Sequence, residues 1–186
     1  MSKRLFVSVD LPTELADEVA AVQEEFADAS GLRVTDPEQA HVTLFFLGDV
    51  HPSRVKTVKS ALIEAVEAAD IDPFTARVEG LGVFPSLEYI SVLWAGVSVG
   101  AEELTTLHKA IEPRLVDLGF DADDHEFTPH VTLARMDHAG GKELVQEGVR
   151  ELDPVVGEWT VEDVRLTESE LTPDGPEYST VRRFEL

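Results

Sequence analysis

His41-Val42-Thr43-Leu44 opens one apolar run of the chain, and His130-Val131-Thr132-Leu133 opens another. The first run continues Phe45-Phe46-Leu47 and is closed by Gly48, so its β-branched and aromatic residues read as a strand. On a strand, residues two apart share a face. His41 and Thr43 therefore point one way and Val42 and Leu44 the other, and His130 and Thr132 share a face in the same manner. From the residue frequencies of this chain, two copies of His-x-Thr-Leu arise by chance in about one such sequence in a thousand, so the repetition reads as a duplication.

Other elements fall into the same order. Leu5 to Val9 reads as a strand, and Phe74 to Phe84, Tyr89 to Val97, Trp159 to Leu171 and Tyr178 to Phe184 as further strands. Leu15, Val19, Val22 and Phe26, then Val55, Val58, Leu62 and Val66, recur at helical steps. A third stripe, Leu104, Leu107, Ile111, Leu115 and Leu118, stops at Gly119 and carries Pro113, which predicts a kink; a short helix follows near Lys142 to Val149. His41 to His130 is an offset of 89, Phe6 to Ile90 one of 84 and Phe74 to Trp159 one of 85. The expectation is a single domain over residues 1–186, built of two pseudo-repeat lobes, about 1–86 and 87–186, that share one core.

With 186 residues, 43% of them hydrophobic and 28% charged, the chain can bury a core of its own. No apolar run reaches the roughly 20 residues of a membrane helix, and the apolar start ends at Asp10, too early for a signal peptide, which points to the cytoplasm. The absence of Cys removes disulfides, thiolate zinc sites and thiol nucleophiles. The 37 acids against 15 bases leave a formal charge of −22, spread along the chain, with only 5 Lys beside 10 Arg. Such dispersed acidity suits very high salt, where screening makes self-repulsion tolerable, and predicts a halophilic host. It leaves no broad basic surface for duplex nucleic acid, so a nucleic-acid substrate is gripped locally by a few Arg residues.

If the lobes meet about a pseudo-two-fold axis, two imidazoles and two hydroxyls converge on one point. That set suits a phosphodiester. One neutral ring takes a proton from water, one protonated ring gives a proton to the departing alkoxide, and the hydroxyls donate to the non-bridging oxygens. A strained cyclic phosphate fits best, because its leaving group stays tethered. Neither a metal nor another cofactor is expected, and no His-Glu-x-x-His, carboxylate cluster or Cys/His spacing is present. His51, His108, His125 and His138 lack duplicated partners and read as surface residues.

The paired motifs, together with Gly80-Leu-Gly-Val-Phe-Pro85, Leu93-Trp-Ala-Gly-Val97, Phe127-Thr-Pro-His-Val-Thr-Leu-Ala-Arg135 and the stretch around Gly175, Pro176 and Tyr178, resemble the two-histidine phosphoesterases. Within these the resemblance is to the RNA 2′,3′-cyclic phosphodiesterases, formerly called 2′-5′ RNA ligases, and it runs from Leu5 to the C-terminus. It implies an α+β fold with two antiparallel sheets facing a central cleft and helices packed outside. It also implies hydrolysis of a 2′,3′-cyclic phosphate, on RNA ends or small cyclic nucleotides, to a 2′-phosphate; separately from the resemblance, a monomer is expected. His41 is then the acid and His130 the base, a choice symmetry alone leaves open. The family's Arg after the second motif falls on Arg135. Strict alternation turns Arg135 away from the histidines unless the strand ends or bulges after Leu133. Phe45 shares the parity of His41, which leaves it either stacking on a base or packing in the core. Val34 and Phe45 stand where relatives commonly carry Trp and a basic residue, departures that bear on affinity and base preference. Ligation by the reverse reaction, a non-catalytic module holding phosphorylated ends and a His-based metal site are the competing readings.

Overall fold

A computed structural model of the chain describes residues 2–123 and 125–186. Among them nine strands, β1 (Lys3–Asp10), β2 (Leu32–Val34), β3 (His41–Val50), β4 (Phe74–Pro85), β5 (Ile90–Val99), β6 (His130–Met136), β7 (Val155–Val161), β8 (Asp163–Thr172) and β9 (Gly175–Glu185), pair entirely antiparallel. The order is β7-β4-β5-β6-β3-β1-β8-β9, with β2 paired to β6. Four helices, α1 (Ala16–Glu24), α2 (Val55–Ala69), α3 (Ala101–Asp117) and α4 (Lys142–Glu151), cover the apolar faces. The expected α+β architecture is present. Its two antiparallel sheets, β3-β1-β8-β9 and β6-β5-β4-β7 with β2, are joined by one bridge, Val42 opposite Val131.

Reading outward from that bridge, β3 matches β6, β1 matches β5, β8 matches β4 and β9 matches β7. The offset that relates Phe74 to Trp159 is therefore not a symmetry relation: β4 and β7 are hydrogen-bonded neighbours, Ala76 facing Trp159. The run from Trp159 to Leu171 is two strands, separated at Glu162 and belonging to different sheets. β2, only three residues long, has no pattern of its own to announce it. α3 runs through Pro113 without a break in its span.

The helices exchange sides. α1, between β1 and β2, packs on β6 and β7, and α3, between β5 and β6, packs on β3 as well as β5. Val19 and Val22 of α1 and Leu104, Leu107 and Ile111 of α3 enter one continuous core with Leu5, Val42, Leu93 and Val131. Each of these side chains is almost wholly removed from water, which places the hydrophobic stabilisation in the seam between the sheets as much as within either.

Candidate active site

Antiparallel pairing at Val42 and Val131 decides where the polar residues go. One step to either side of the bridge, His41 lies beside Thr132 and Thr43 beside His130, while the two valines point into the core. The four side chains expected to converge therefore share one face at the junction of the sheets.

Beyond them both strands bulge at equivalent places. On β3 the partner of Ser8 is Thr43 and that of Val7 is Phe45, which leaves Leu44 unmatched; on β6 the partner of Trp94 is Thr132 and that of Leu93 is Ala134, which leaves Leu133 unmatched. One extra residue reverses the parity of everything after it. Leu44 and Phe45 both turn inward, as do Leu133 and Ala134. Phe45 is only 1% exposed, so the stacking role considered for it is excluded: it is a core residue, and Phe46, 46% exposed, takes the cleft face. The same reversal returns Arg135 to the side of the histidines, where it lines the groove.

Both imidazoles are held alike. His41 Nδ1 donates to the Gln39 carbonyl at 3.0 Å and His130 Nδ1 to the Thr128 carbonyl at 2.6 Å, each two residues back along its own chain. These bonds engage Nδ1 of each ring and turn Nε2 away from that carbonyl. His41 Nε2 is 3.1 Å from Thr43 Oγ1. Phe6 and Tyr178 pack against His41, with centroids at 5.0 and 5.2 Å, and Phe84 and Trp94 against His130, at 4.9 and 5.7 Å. Trp94 lies flat against Gly82, where a Cβ would come within 2.2 Å of its ring.

Burial holds both rings below the ordinary imidazole value, and the Arg135 charge lowers both further. Their remaining surroundings differ. The Asp10 carboxylate, opposite His41 on β1, favours that ring's protonated form, whereas His130 is lowered again by His41 and His125. Asp10 is itself fixed by Ser8 at 2.9 Å and by Arg165 at 3.0 Å.

A groove of about 540 Å³ opens from His41, Thr43 and Thr132 between β2 and the β8–β9 hairpin. Arg33 and Arg135, opposite each other on β2 and β6, both line it. Like charges placed cross-strand repel, so in a chain with 15 bases against 37 acids the two guanidiniums concentrate positive charge at this wall of the groove. Arg33 also forks onto Asp137 at 3.1 and 3.3 Å. Tyr178 closes the other wall, its hydroxyl pKa raised by burial.

The sequence reading missed Asp10, Arg33, Trp94 and Tyr178 as site residues. Asp10 was within reach, since Phe6, Ser8 and Asp10 share one parity on β1; the others depend on which strands become neighbours. His108 corrects the surface reading: it is 6% exposed, its Nδ1 donating to the Leu44 carbonyl at 2.7 Å. His51, His125 and His138 are exposed.

Residues 11–172 match the model of the 2′-5′ RNA ligase superfamily. The RNA 2′,3′-cyclic phosphodiesterase of Methanothermobacter thermautotrophicus is 32% identical, the alignment covering all of both chains, and that of Archaeoglobus fulgidus is 35% identical over 98% of this chain and 99% of the relative. Among solved structures, TT0787 of Thermus thermophilus superposes with a TM-score of 0.80 at 30% identity, covering 98% of this chain and 97% of the other. E. coli LigT complexed with 3′-AMP gives 0.82 at 23% identity over 100% and 99%, a likeness of fold. With its two His-x-Thr strands joined at one bridge and the family model matched over most of its length, the chain belongs to the 2′-5′ RNA ligase superfamily.

Proposed function

We propose that this protein hydrolyses the 2′,3′-cyclic phosphate at RNA ends to a 2′-phosphate, with His41 as acid and His130 as base. Water attacks phosphorus opposite O3′ and passes its proton to His130 Nε2. The P–O3′ bond breaks, and O3′ takes the proton carried by His41 Nε2, leaving a free 3′-hydroxyl and the phosphate on O2′. Thr43, Thr132 and Arg135 donate to the non-bridging oxygens as their charge grows. The observation that carries this reading is the arrangement at the Val42–Val131 bridge: two identically tethered imidazoles on one face beside an Arg-lined groove. The relatives named RNA 2′,3′-cyclic phosphodiesterase support the substrate. Asp10 supports the assignment of the acid, since its charge favours a protonated His41.

The acidity supports a halophilic host, and no helix among the described residues is long and apolar enough to cross a membrane. We read the chain as one domain acting as a monomer in the cytoplasm. The test is an RNA oligonucleotide ending in 2′,3′-cyclic phosphate, incubated in molar KCl with EDTA and resolved by product. The expected product is the 2′-phosphate, with turnover persisting on chelation. His41→Ala and His130→Ala should each lose on the order of 10²–10⁴ in rate. Absence of product, or unimpaired variants, overturns the reading.

A further inference from the structure

The two bulges share a second feature that pairs residues from opposite sides of the molecule. The carbonyl of the extra residue on β3, Leu44, accepts from His108 Nδ1 at 2.7 Å, and that of its counterpart on β6, Leu133, accepts from Gln23 Nε2 at 2.9 Å. Both donors are 6% exposed, polar side chains set among apolar neighbours. Neither comes from the half of the chain it serves: His108 sits on α3, between β5 and β6, and Gln23 on α1, between β1 and β2. A buried polar group costs stability unless it is bonded, so each helix carries a donor suited to the other sheet's irregularity.

Both donors reach further into the site. Gln23 Nε2 also contacts the Thr35 carbonyl at 2.9 Å, and Thr35, a groove residue, donates through its hydroxyl to the Thr132 carbonyl at 3.0 Å. The His108 ring stacks on Phe127 at 4.3 Å and 6°, and the next residue, Thr128, supplies the carbonyl that holds His130. Its other edge faces Glu112 at 3.4 Å and Asp123 at 3.9 Å.

We propose that Gln23 and His108 are positioning residues: hydrogen-bonding to the two bulge carbonyls, they hold the irregularities that end each His-Thr pair and, on β6, return Arg135 to the face of both pairs. The proposal rests on the function above for its kinetic consequence only. Misplacement by about 1 Å at such a site lowers turnover on the order of 10²-fold.

The test uses the full chain with Gln23→Met, which keeps shape and loses the donor, together with His108→Leu and His108→Asn, the last of which retains an N–H near Nδ1. Turnover of the cyclic-phosphate oligonucleotide is measured alongside NMR titration of the His41 and His130 rings. Gln23→Met and His108→Leu should lower kcat about 10²-fold with KM changed less than about threefold, and should move the ring titrations. His108→Asn should recover most of the loss. If His108→Leu does not fold, Gln23→Met and His108→Asn carry the same comparison. Lowered melting temperatures with parental kcat, KM and ring titrations would reduce both residues to ordinary core polar groups and overturn the proposal. If the parent shows no turnover, the function fails and the ring titrations still decide the positioning.

Discussion

At the scale of single residues, Asp10 is what makes two nearly equivalent imidazoles unequal. Both rings are tethered through Nδ1 to a carbonyl two residues back and both are lowered by burial, so the repeated tetrapeptide by itself assigns no roles. Among the described residues, a carboxylate on β1 stands opposite His41 and favours its protonated form, while the charges acting on His130 all disfavour its own, which supports the proposed choice of acid. The alkaline limb of the kcat/KM profile reports loss of the protonated acid. Asp10→Asn should lower the His41 pKa and draw that limb to lower pH, leaving the acid limb nearly in place. A profile matching the parent's would remove Asp10 from the assignment.

At the scale of elements, the bulges explain which parts of the site could be read from the chain. His41, Thr43, His130 and Thr132 were legible because they precede the irregularity, where alternation holds. Phe45 and Arg135 follow it, and one inserted residue sent the first inward and brought the second back. A trace was present on β6, where Leu133-Ala134 is an adjacent apolar pair in a strand that otherwise alternates; on β3 the unbroken run Leu44-Phe45-Phe46-Leu47 hides it. The helices were legible from their stripes. The break at Glu162, the short β2 and the groove wall of Arg33 and Tyr178 were not, because pairing between distant strands creates them. Phe45→Ala should therefore destabilise the fold by about 3–5 kcal/mol, whereas Phe46→Ala should stay within about 0.5 kcal/mol, as read by urea titration. Equal losses would contradict the inward turn of Phe45.

At the scale of the whole molecule, the lowered histidines bind stability to pH. With folded-state values below the ordinary 6.5, the unfolded chain holds more protons between those values and 6.5. Their contribution is present above about pH 6.5 and is lost as pH falls through that window toward the folded values. Melting temperatures measured there should rise with pH, and a His41→Gln/His130→Gln double variant should show a shallower dependence.

The placement of α1 and α3 across the seam bears on whether the two halves of the chain can stand as separate parts. A peptide ending at residue 86 keeps α1 but lacks β6 and β7, the surfaces that helix covers, and lacks β8, which flanks β1, with β9 beyond it. Each fragment made separately should give a near-ultraviolet circular dichroism spectrum without fixed aromatic signals, and only the mixture should melt cooperatively. Tethering the two halves in one chain would then be what turns each helix borrowed across the seam into a permanent part of the core.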